Sequence, residues 1–330
     1  PGNTIVLSEG EWKDVDLRFD GEGTQDHPIT IRAERPGGTV ITGASRVRLG
    51  GSFLVVSGLH FRELSGAKAD WFEFRMDSKR RANHCRLTEC AFTERTEFVP
   101  EEQGHRWIGI YGKSNLVDHC TIGGKKSRGA SVVVWLGELD EGGHHILNNH
   151  FSGRPRLGEN GGETIRIGDS KTSWRTASCL VEGNVFFRCD GEAECISNKS
   201  SGNVYRGNWF LETQGTLTLR HGNHCLVEGN FFLGGRRNHT GGIRVIGEGH
   251  RVIGNVLHEL EGTGFRSAIC LVNGLPESPA HGYQRVAGAV IRGNVVRDCR
   301  ESLLIGFNTL AEATEPPRKV RFENNVIFAR

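Results

Sequence analysis

Apolar residues along this chain come in short bursts that are separated by polar residues and glycine. No long stripe with the 3.6-residue period of an amphipathic helix lies between them, so the pattern predicts many short strands joined by turns. One phrase recurs: apolar residues, a polar residue, glycine or a small polar residue, asparagine, and then an apolar pair. Its clearest copies contain Asn184, Asn208 and Asn230.

The spacing of this phrase indicates how the turns are arranged. Further copies contain Asn255, Asn294 and Asn325, and the equivalent upstream positions are Leu59, Cys90, Cys120 and Asn149. From Asn184 onward the markers are 24, 22, 25, 39 and 31 residues apart. The shortest spacing is 22 residues, and the other spacings exceed it by variable amounts. This variation is typical of a solenoid whose turns share a core and differ in their outward loops.

No helical pattern lies between the strand-sized units, so they cannot be βαβ units. The sequence therefore predicts an all-β fold, a single-stranded right-handed parallel β-helix (β-solenoid), although length alone favours about two domains. We interpret residues 1–330 as one domain. Because the chain starts at Pro1 without a methionine, we expect an N-terminal cap or leader to be missing from it.

The recurring asparagines have a structural explanation. A buried amide in a turn can form a hydrogen bond with the same residue one turn further along, as in stacked amide ladders. We therefore expect Asn184, Asn208, Asn230, Asn255 and Asn294 to stabilise the architecture rather than to act in catalysis.

Composition narrows the class of partner. The chain has 41 basic and 39 acidic residues, a net charge of +2, which does not favour nucleic-acid binding but permits a local basic cleft for a polyanion. No apolar stretch approaches the ~18 residues of a membrane span. The nine cysteines leave at least one thiol unpaired, and we interpret Cys90 and Cys120 as buried apolar side chains.

The repeat also brings chemically active residues together. Lys199, Arg220 and Arg244 lie 9, 10 and 11 residues before successive marker asparagines, which predicts one column of cations on three consecutive turns. Stacked cations repel each other unless an anion is bound. The column therefore indicates an anionic ligand.

Oxygen ligands precede this column. Glu192 and Glu194 would face the same way in a strand, and Asn160 lies one turn earlier. Two carboxylates and an amide oxygen form an incomplete all-oxygen shell, which suits Ca²⁺ and does not suit zinc. This arrangement could serve β-elimination from a uronic acid. A cation would stabilise the enolate that forms when Lys199 removes the C5 proton, and Arg220 would stabilise the developing charge or protonate the leaving oxygen.

Four segments carry a family resemblance: Gly158–Gly168, Ile196–Gly202, Gly215–Gly222 and Thr240–Gly247. In this order they resemble polysaccharide lyase family 6, which contains alginate lyases and the dermatan-cleaving chondroitinase B on parallel β-helices. The resemblance extends over nearly the whole chain.

The resemblance implies roles for individual residues. It implies Lys199 as the base, Arg220 on the acid side, and Asn160, Glu192 and Glu194 as Ca²⁺ ligands. The implied substrate contacts are Arg166, His221, Arg244, Tyr283 and Tyr111. The chain resembles the alginate lyases more closely, because chondroitinase B has an aromatic residue where this chain has Arg244. An arginine there would suit a second uronate carboxylate, and alginate carries a carboxylate on every sugar.

Other functions fit these residues less well. A glycoside hydrolase needs two carboxylates that flank the bond and has no role for the cations. Alginate C5-epimerases usually carry an Asp-Pro-His-Glu motif, which is absent here. A dermatan sulfate lyase and a non-catalytic polysaccharide-binding β-helix remain as alternatives.

The resemblance also sets the expected context of the protein. The implied partner is an anionic polysaccharide, alginate, with neither nucleic acid nor a membrane span involved. We expect a periplasmic or secreted protein that is a monomer or a weak homodimer.

Overall fold

The computed structural model describes residues 1–65, 70–95, 104–137, 141–158, 160–328 and 330. Within these residues, short strands form three long sheets, and the chain visits them in turn. All strand pairings within the sheets are parallel, and each strand pairs with the equivalent strands of the preceding and following turns. The prediction of an all-β parallel β-helix is confirmed.

Sheet A consists of β1 (Thr4–Leu7), β4 (Ile29–Ala33), β7 (Leu54–Ser57), β11 (Arg86–Thr88), β14 (Leu116–Asp118), β17 (His145–Leu147), β20 (Leu180–Glu182), β23 (Val204–Arg206), β26 (Leu226–Glu228), β29 (Arg251–Ile253), β32 (Val290–Arg292) and β35 (Arg321–Glu323).

Sheet B consists of β2 (Gly10–Lys13), β5 (Thr39–Gly43), β8 (Leu59–Leu64), β12 (Ala91–Thr93), β15 (Thr121–Gly123), β18 (His150–Arg154), β21 (Val185–Cys189), β24 (Trp209–Leu211), β27 (Phe231–Leu233), β30 (Val256–His258), β33 (Val295–Arg297) and β36 (Val326–Phe328).

Sheet C consists of β3 (Asp16–Glu22), β6 (Arg46–Ser52), β9 (Phe72–Glu73), β10 (Ala82–Asn83), β13 (Ile108–Ile110), β16 (Val132–Val134), β19 (Ile165–Ile167), β22 (Glu194–Lys199), β25 (Thr216–His221), β28 (Ile243–Val245), β31 (Ile269–Val272) and β34 (Leu303–Phe307). A single 3₁₀ turn, Gly264–Arg266, is the one helical element among the described residues.

The core lies inside the coil and is built from equivalent residues on neighbouring turns. Phe151, Phe186, Phe210 and Phe232 are partners in the register of sheet B, and their rings stack at centroid distances of 5.0, 4.7 and 4.4 Å. Stacked turns thus place like against like, and these buried aromatic side chains each remove a large apolar area from water.

The predicted asparagine ladder is present before the strands of sheet B. Asn184 Nδ2 donates to Asn208 Oδ1 at 3.0 Å, and Asn208 Nδ2 donates to Asn230 Oδ1 at 2.9 Å. The same contact continues to Asn255 and Asn294 at 2.9 Å. The ladder prediction is confirmed.

The glycine that precedes each ladder asparagine also has a structural role. Gly207 and Gly229 have φ values of 59° and 62°, in the left-handed region that glycine adopts at little cost. This backbone conformation turns the chain sharply before sheet B, and it explains why the recurring phrase reads Gly-Asn.

A second ladder, which the sequence analysis missed, precedes the strands of sheet A. Its members alternate between residue types, so no repeated letter marks it: Cys85, Asn115, His144, Cys179, Asn203, Cys225 and His250. In each contact a backbone N–H donates to the side chain one turn further along, for example Cys225 N to His250 Nδ1 at 3.2 Å.

The nine cysteines are all buried, and none forms a disulfide. This agrees with their interpretation as small apolar side chains. Cys85, Cys179 and Cys225 belong to the second ladder. In the part of the chain that the structure describes, no helix is long and apolar enough to cross a membrane.

We predict that Asn208→Ala strongly lowers the free energy of unfolding. The Asn208 amide donates to Val181 O and Asn230 Oδ1 and accepts from Asn184, so its removal leaves several buried polar groups without a hydrogen-bond partner. Each buried polar group without a partner lowers the free energy of unfolding by about 1–3 kcal/mol. Urea unfolding should show a loss of about 2–5 kcal/mol. The control Arg206→Ala removes an exposed ion pair with Glu228 and should cost less than about 1 kcal/mol. Equal losses would contradict the structural role of the ladder.

We also predict that acid destabilises the fold through the second ladder. Burial lowers the pKa of His250 from 6.5 to about 4. Because the unfolded state then binds more protons, the stability contributed by neutral His250 is complete above pH 6.5 and is lost as the pH falls toward 4. Between pH 7.5 and pH 5, His250→Asn should lose about 2 kcal/mol less stability than the unmodified protein in urea unfolding. The same substitution at exposed His27 should leave the pH dependence unchanged, and a matching effect there would refute the assignment.

Candidate active site

A cleft of about 380 Å³ lies against the outer face of sheet C. It contains every predicted site residue except Arg166 and Tyr111. Its lining consists of Asn160, Glu163, Ser170, Glu192, Ala193, Glu194, Lys199, Arg220, His221, Arg244, Phe265, His281, Tyr283 and Thr309. The predicted metal ligands and the predicted catalytic residues are thus brought together, although they are far apart in the sequence.

The central residues lie on three adjacent strands. Glu194 and Lys199 are the first and last residues of β22, and Arg220 lies near the end of β25. Arg244 is the middle residue of β28. Parallel pairing of these strands places the side chains on one surface.

The prediction of a single column of cations is wrong in register. Lys199 pairs with His221 rather than with Arg220, because the register shifts between Asn198 and Lys199. Arg244 pairs with Thr218. The three cations therefore form a staggered cluster. The β-bulge that causes the shift has no signature in the spacing of the marker phrase.

A buried polar network lies behind this bulge. The Asn198 amide donates to His221 O at 2.7 Å and to Ser200 O at 2.9 Å. Its Oδ1 accepts from Tyr205 Oη and Asn203 Nδ2, each at 2.7 Å. Asn198 therefore holds the ends of β22 and β25 together, which positions Lys199 on the cleft surface.

Tyr283 organises the two arginines from the opposite wall. It follows β31, and the Arg220 guanidinium lies 4.2 Å from its ring centroid. Arg244 donates to Tyr283 Oη at 3.3 Å, and Arg220 donates to Gly282 O at 3.1 Å. Tyr283 and Gly282 thus hold both guanidinium groups at the wall of the cleft.

Burial and neighbouring cations set the charge states on this side of the cleft. Burial lowers the pKa of the Arg220 guanidinium. Burial, together with Arg220, Lys199 and His281, lowers the pKa of His221 to about 3. His221 is therefore neutral at physiological pH and can donate one hydrogen bond without adding charge.

Carboxylates crowd the other end of the cleft. Burial raises the pKa of Glu192 to about 8, and the carboxylates of Glu163 and Glu194 add to this effect. Glu163 is buried, and its Oε2 has no hydrogen-bond partner. Arg244 approaches Glu194 at 3.6 Å, which neutralises only part of this charge.

The oxygen atoms of this carboxylate cluster are ligands that a hard cation prefers. Carboxylates from three glutamates and the Asn160 amide offer oxygen atoms only, and Glu163 Oε2 is a buried acceptor without a donor. Within the described ranges, no three His, Cys, Asp or Glu side chains are close enough to hold a metal ion by themselves. A cation here would therefore also take amide, water or substrate oxygens.

Sequence reasoning missed two residues of this region. Glu163 lies within the Gly-Gly-Glu-Thr segment, whose glutamate was not assigned a role. Arg154 is buried, and its guanidinium donates to the carbonyl oxygens of Gly161 and Gly162 and to those of Lys125 and Gly129 on the preceding turn. It therefore fixes the backbone between Asn160 and Glu163.

Arg166 and Tyr111 lie beside the cleft and do not line it. Arg166 packs over Trp135 at 4.9 Å, and Tyr111 stacks on the same ring at 6.1 Å. Arg75 covers Tyr111 at 3.8 Å. Trp135 thus joins the two predicted contacts into a separate cationic and aromatic cluster on an earlier part of sheet C.

Known proteins share the fold of this chain. The family model described as chondroitinase B matches residues 1–328. The structure of the PL6 family alginate lyase AlyGC is similar with a TM-score of 0.95 and 38% identity, over 100% of this chain and 47% of that chain. This chain therefore spans about half the length of AlyGC.

Two further structures are similar over most of their length. A mannuronic acid specific family 6 lyase from human gut microbiota has a TM-score of 0.88 and 33% identity, over 99% of this chain and 77% of that chain. A PL6 family polysaccharide lyase from Pseudopedobacter saltans has a TM-score of 0.80 and 24% identity, over 99% and 88% of the two chains, and supports the fold alone. No curated protein sequence matches.

Proposed function

This chain belongs to the chondroitinase B family, and we propose that it is a polysaccharide lyase that cleaves alginate by β-elimination. One observation carries the proposal: Lys199, Arg220 and Arg244 share a cleft with the carboxylates of Glu163, Glu192 and Glu194. Hydrolysis would need two carboxylates and no lysine, whereas elimination needs a base and positive charge at the uronate carboxylate.

In the proposed reaction Lys199 removes the proton from C5 of the uronate. The electron pair of the broken C5–H bond forms the C4=C5 double bond as the C4–O bond breaks. The leaving oxygen takes a proton from the side of Arg220, directly or through water. In the described part of the chain no carboxylate pairs with Lys199, so its amine is available to the substrate.

The neighbouring residues would hold the sugar for this step. Arg244 and Tyr283 would bind a carboxylate or hydroxyl group from one wall, and neutral His221 would donate a hydrogen bond near C5. Because these side chains are buried or held by neighbours, their donors are oriented before the substrate binds.

We further propose that Asn160, Glu192 and Glu194, together with Glu163, hold a Ca²⁺ ion. The support is the all-oxygen donor set and the buried, unpartnered Glu163 Oε2. Such an ion would supply positive charge that stabilises the uronate carboxylate as it gains negative charge.

Alginate is the favoured substrate and dermatan sulfate is the second candidate. Arg244 lies within the cleft in addition to Lys199 and Arg220, which suits a polymer with a carboxylate on every sugar. The matching family model, which is named for chondroitinase B, favours the alternative. Cleavage of a polymer also favours action in the periplasm or outside the cell. A monomer or weak homodimer remains a prediction.

We predict that incubation with alginate raises ultraviolet absorbance, because elimination leaves a double bond conjugated to the carboxylate. The rise should require Ca²⁺ and disappear with a chelator, and Lys199→Ala should slow it roughly a thousandfold. Dermatan sulfate is assayed in parallel.

The controls separate the alternatives. Lys199→Ala should still bind alginate, whereas a binding module would show no absorbance change in either form. A rise in absorbance on dermatan sulfate alone would support the elimination mechanism and contradict alginate as the substrate. No rise on either polymer with folded protein would overturn the lyase proposal.

We also predict that Glu163→Gln stabilises the protein in the absence of Ca²⁺ and weakens Ca²⁺ binding. Removing one charge relieves repulsion among the three carboxylates, but it also removes a ligand. Calorimetry should show roughly tenfold weaker Ca²⁺ binding, and thermal unfolding should show a smaller shift on adding Ca²⁺. Glu182→Gln on sheet A is the matched control. Unchanged Ca²⁺ affinity would remove Glu163 from the site.

A further inference from the structure

A second cleft of about 340 Å³ adjoins the catalytic cleft. It lies on the turns that connect sheet B to sheet C, and the two clefts share Asn160, Glu192 and Ala193. The surface is therefore continuous from Tyr283, across β22 and β28, to these turns.

Basic side chains line the outer part of this second cleft. Arg156, His239 and Arg266 come from three different turns of the coil. The Arg156 guanidinium donates to Gln214 Oε1 at 2.8 Å, and Arg266 Nε donates to Gln214 O at 3.1 Å. The two guanidinium groups are thus held on either side of one glutamine.

Neither arginine is neutralised within the described residues, since no carboxylate lies within ion-pair distance of either one. Burial lowers the pKa of Arg266, and the charges of Arg156 and Arg244 act in the same direction. Like charges held this close favour a bound anion.

The acidic residues of the second cleft have other partners. Asp190 accepts two hydrogen bonds from the Arg237 guanidinium, at 2.6 and 3.0 Å, and one from Gln214 N at 2.9 Å. Glu192 belongs to the proposed metal site. The free charge of the outer cleft is therefore positive.

An aromatic ring connects the two groups of cations. Phe265 lies 5.1 Å from the Arg244 guanidinium and 4.6 Å from that of Arg266. The row Arg220, Arg244, Arg266 and Arg156 thus leads from the catalytic cleft to the second cleft across the turns of the coil.

We propose that Arg156, Arg266 and His239 form a remote subsite that binds the carboxylate of a further uronate, beyond the sugars at the cleaved bond. This inference rests on the proposed function, which it extends to substrate length. A polyuronate would cross the coil at this point, and chains too short to reach the subsite would lose its contribution.

The test compares substrate lengths in the double variant Arg156→Ala/Arg266→Ala. We expect a roughly tenfold fall in kcat/KM on long oligouronates from alginate, through KM, and no change on the shortest cleavable oligomer. Arg251→Ala on sheet A removes an exposed arginine away from both clefts and should leave both values unchanged.

A second measurement does not depend on turnover. In a Lys199→Ala background, calorimetry with the same long oligouronates should show roughly tenfold weaker binding when both arginines are removed. If the double variant unfolds, the single variant Arg156→Ala replaces it, because this arginine is exposed.

The outcomes separate the two proposals. If the unmodified protein produces no unsaturated ends, the lyase proposal fails, and the calorimetric result alone decides the subsite. If it cleaves alginate and the variants match it at every length, the subsite is wrong and the lyase proposal stands. An equal loss at every length would also contradict a remote subsite.

Discussion

The stacking of each turn directly on the next is the constraint on which the rest of this molecule depends. At the corner before sheet B, one amide satisfies the backbone and the side chain of adjacent turns, as Asn208 does between Asn184 and Asn230. A shift of one corner would leave buried polar groups on both neighbouring turns without hydrogen-bond partners. The stability lost in this way is larger than any exposed contact could restore. The corners are therefore rigid, and the outer surface inherits that rigidity.

This rigidity explains how the proposed catalytic cleft can form from residues that are far apart in the sequence. Lys199 and Arg220 lie on strands whose register is set by the corners and by the Asn198 network. Tyr283 and Asn160 come from connections whose length can vary without disturbing the ladder. In the proposed reaction, rigid strands would supply the groups for chemistry, and the connections would supply recognition.

The two walls of the cleft carry opposite charges: carboxylates lie on one wall and cations on the other. Burial, together with the carboxylates of Glu163 and Glu194, raises the pKa of Glu192 to about 8, while burial and the nearby cations lower the pKa of His221 to about 3. The contact between Arg244 and Glu194, at 3.6 Å, neutralises only part of the charge on the two walls, so the carboxylate wall favours a cation and the arginine wall favours an anion. A cation and an anionic sugar bound together would satisfy both walls, which is the condition that metal-assisted elimination requires.

The sequence by itself determined the coil, the amide ladder before sheet B and most residues of the cleft. Each of these follows from the recurring phrase of glycine, asparagine and an apolar pair, which marks the same corner in successive turns. It did not reveal the register shift beside Lys199, the second ladder that contains His250, or the buried roles of Glu163 and Arg154. Nor did it place Arg166 and Tyr111 outside the cleft. These features depend on distances between residues on different turns, joined by loops of unequal length. Only the tertiary structure could decide them, because packing between turns, and not the order of residues, sets which side chains meet.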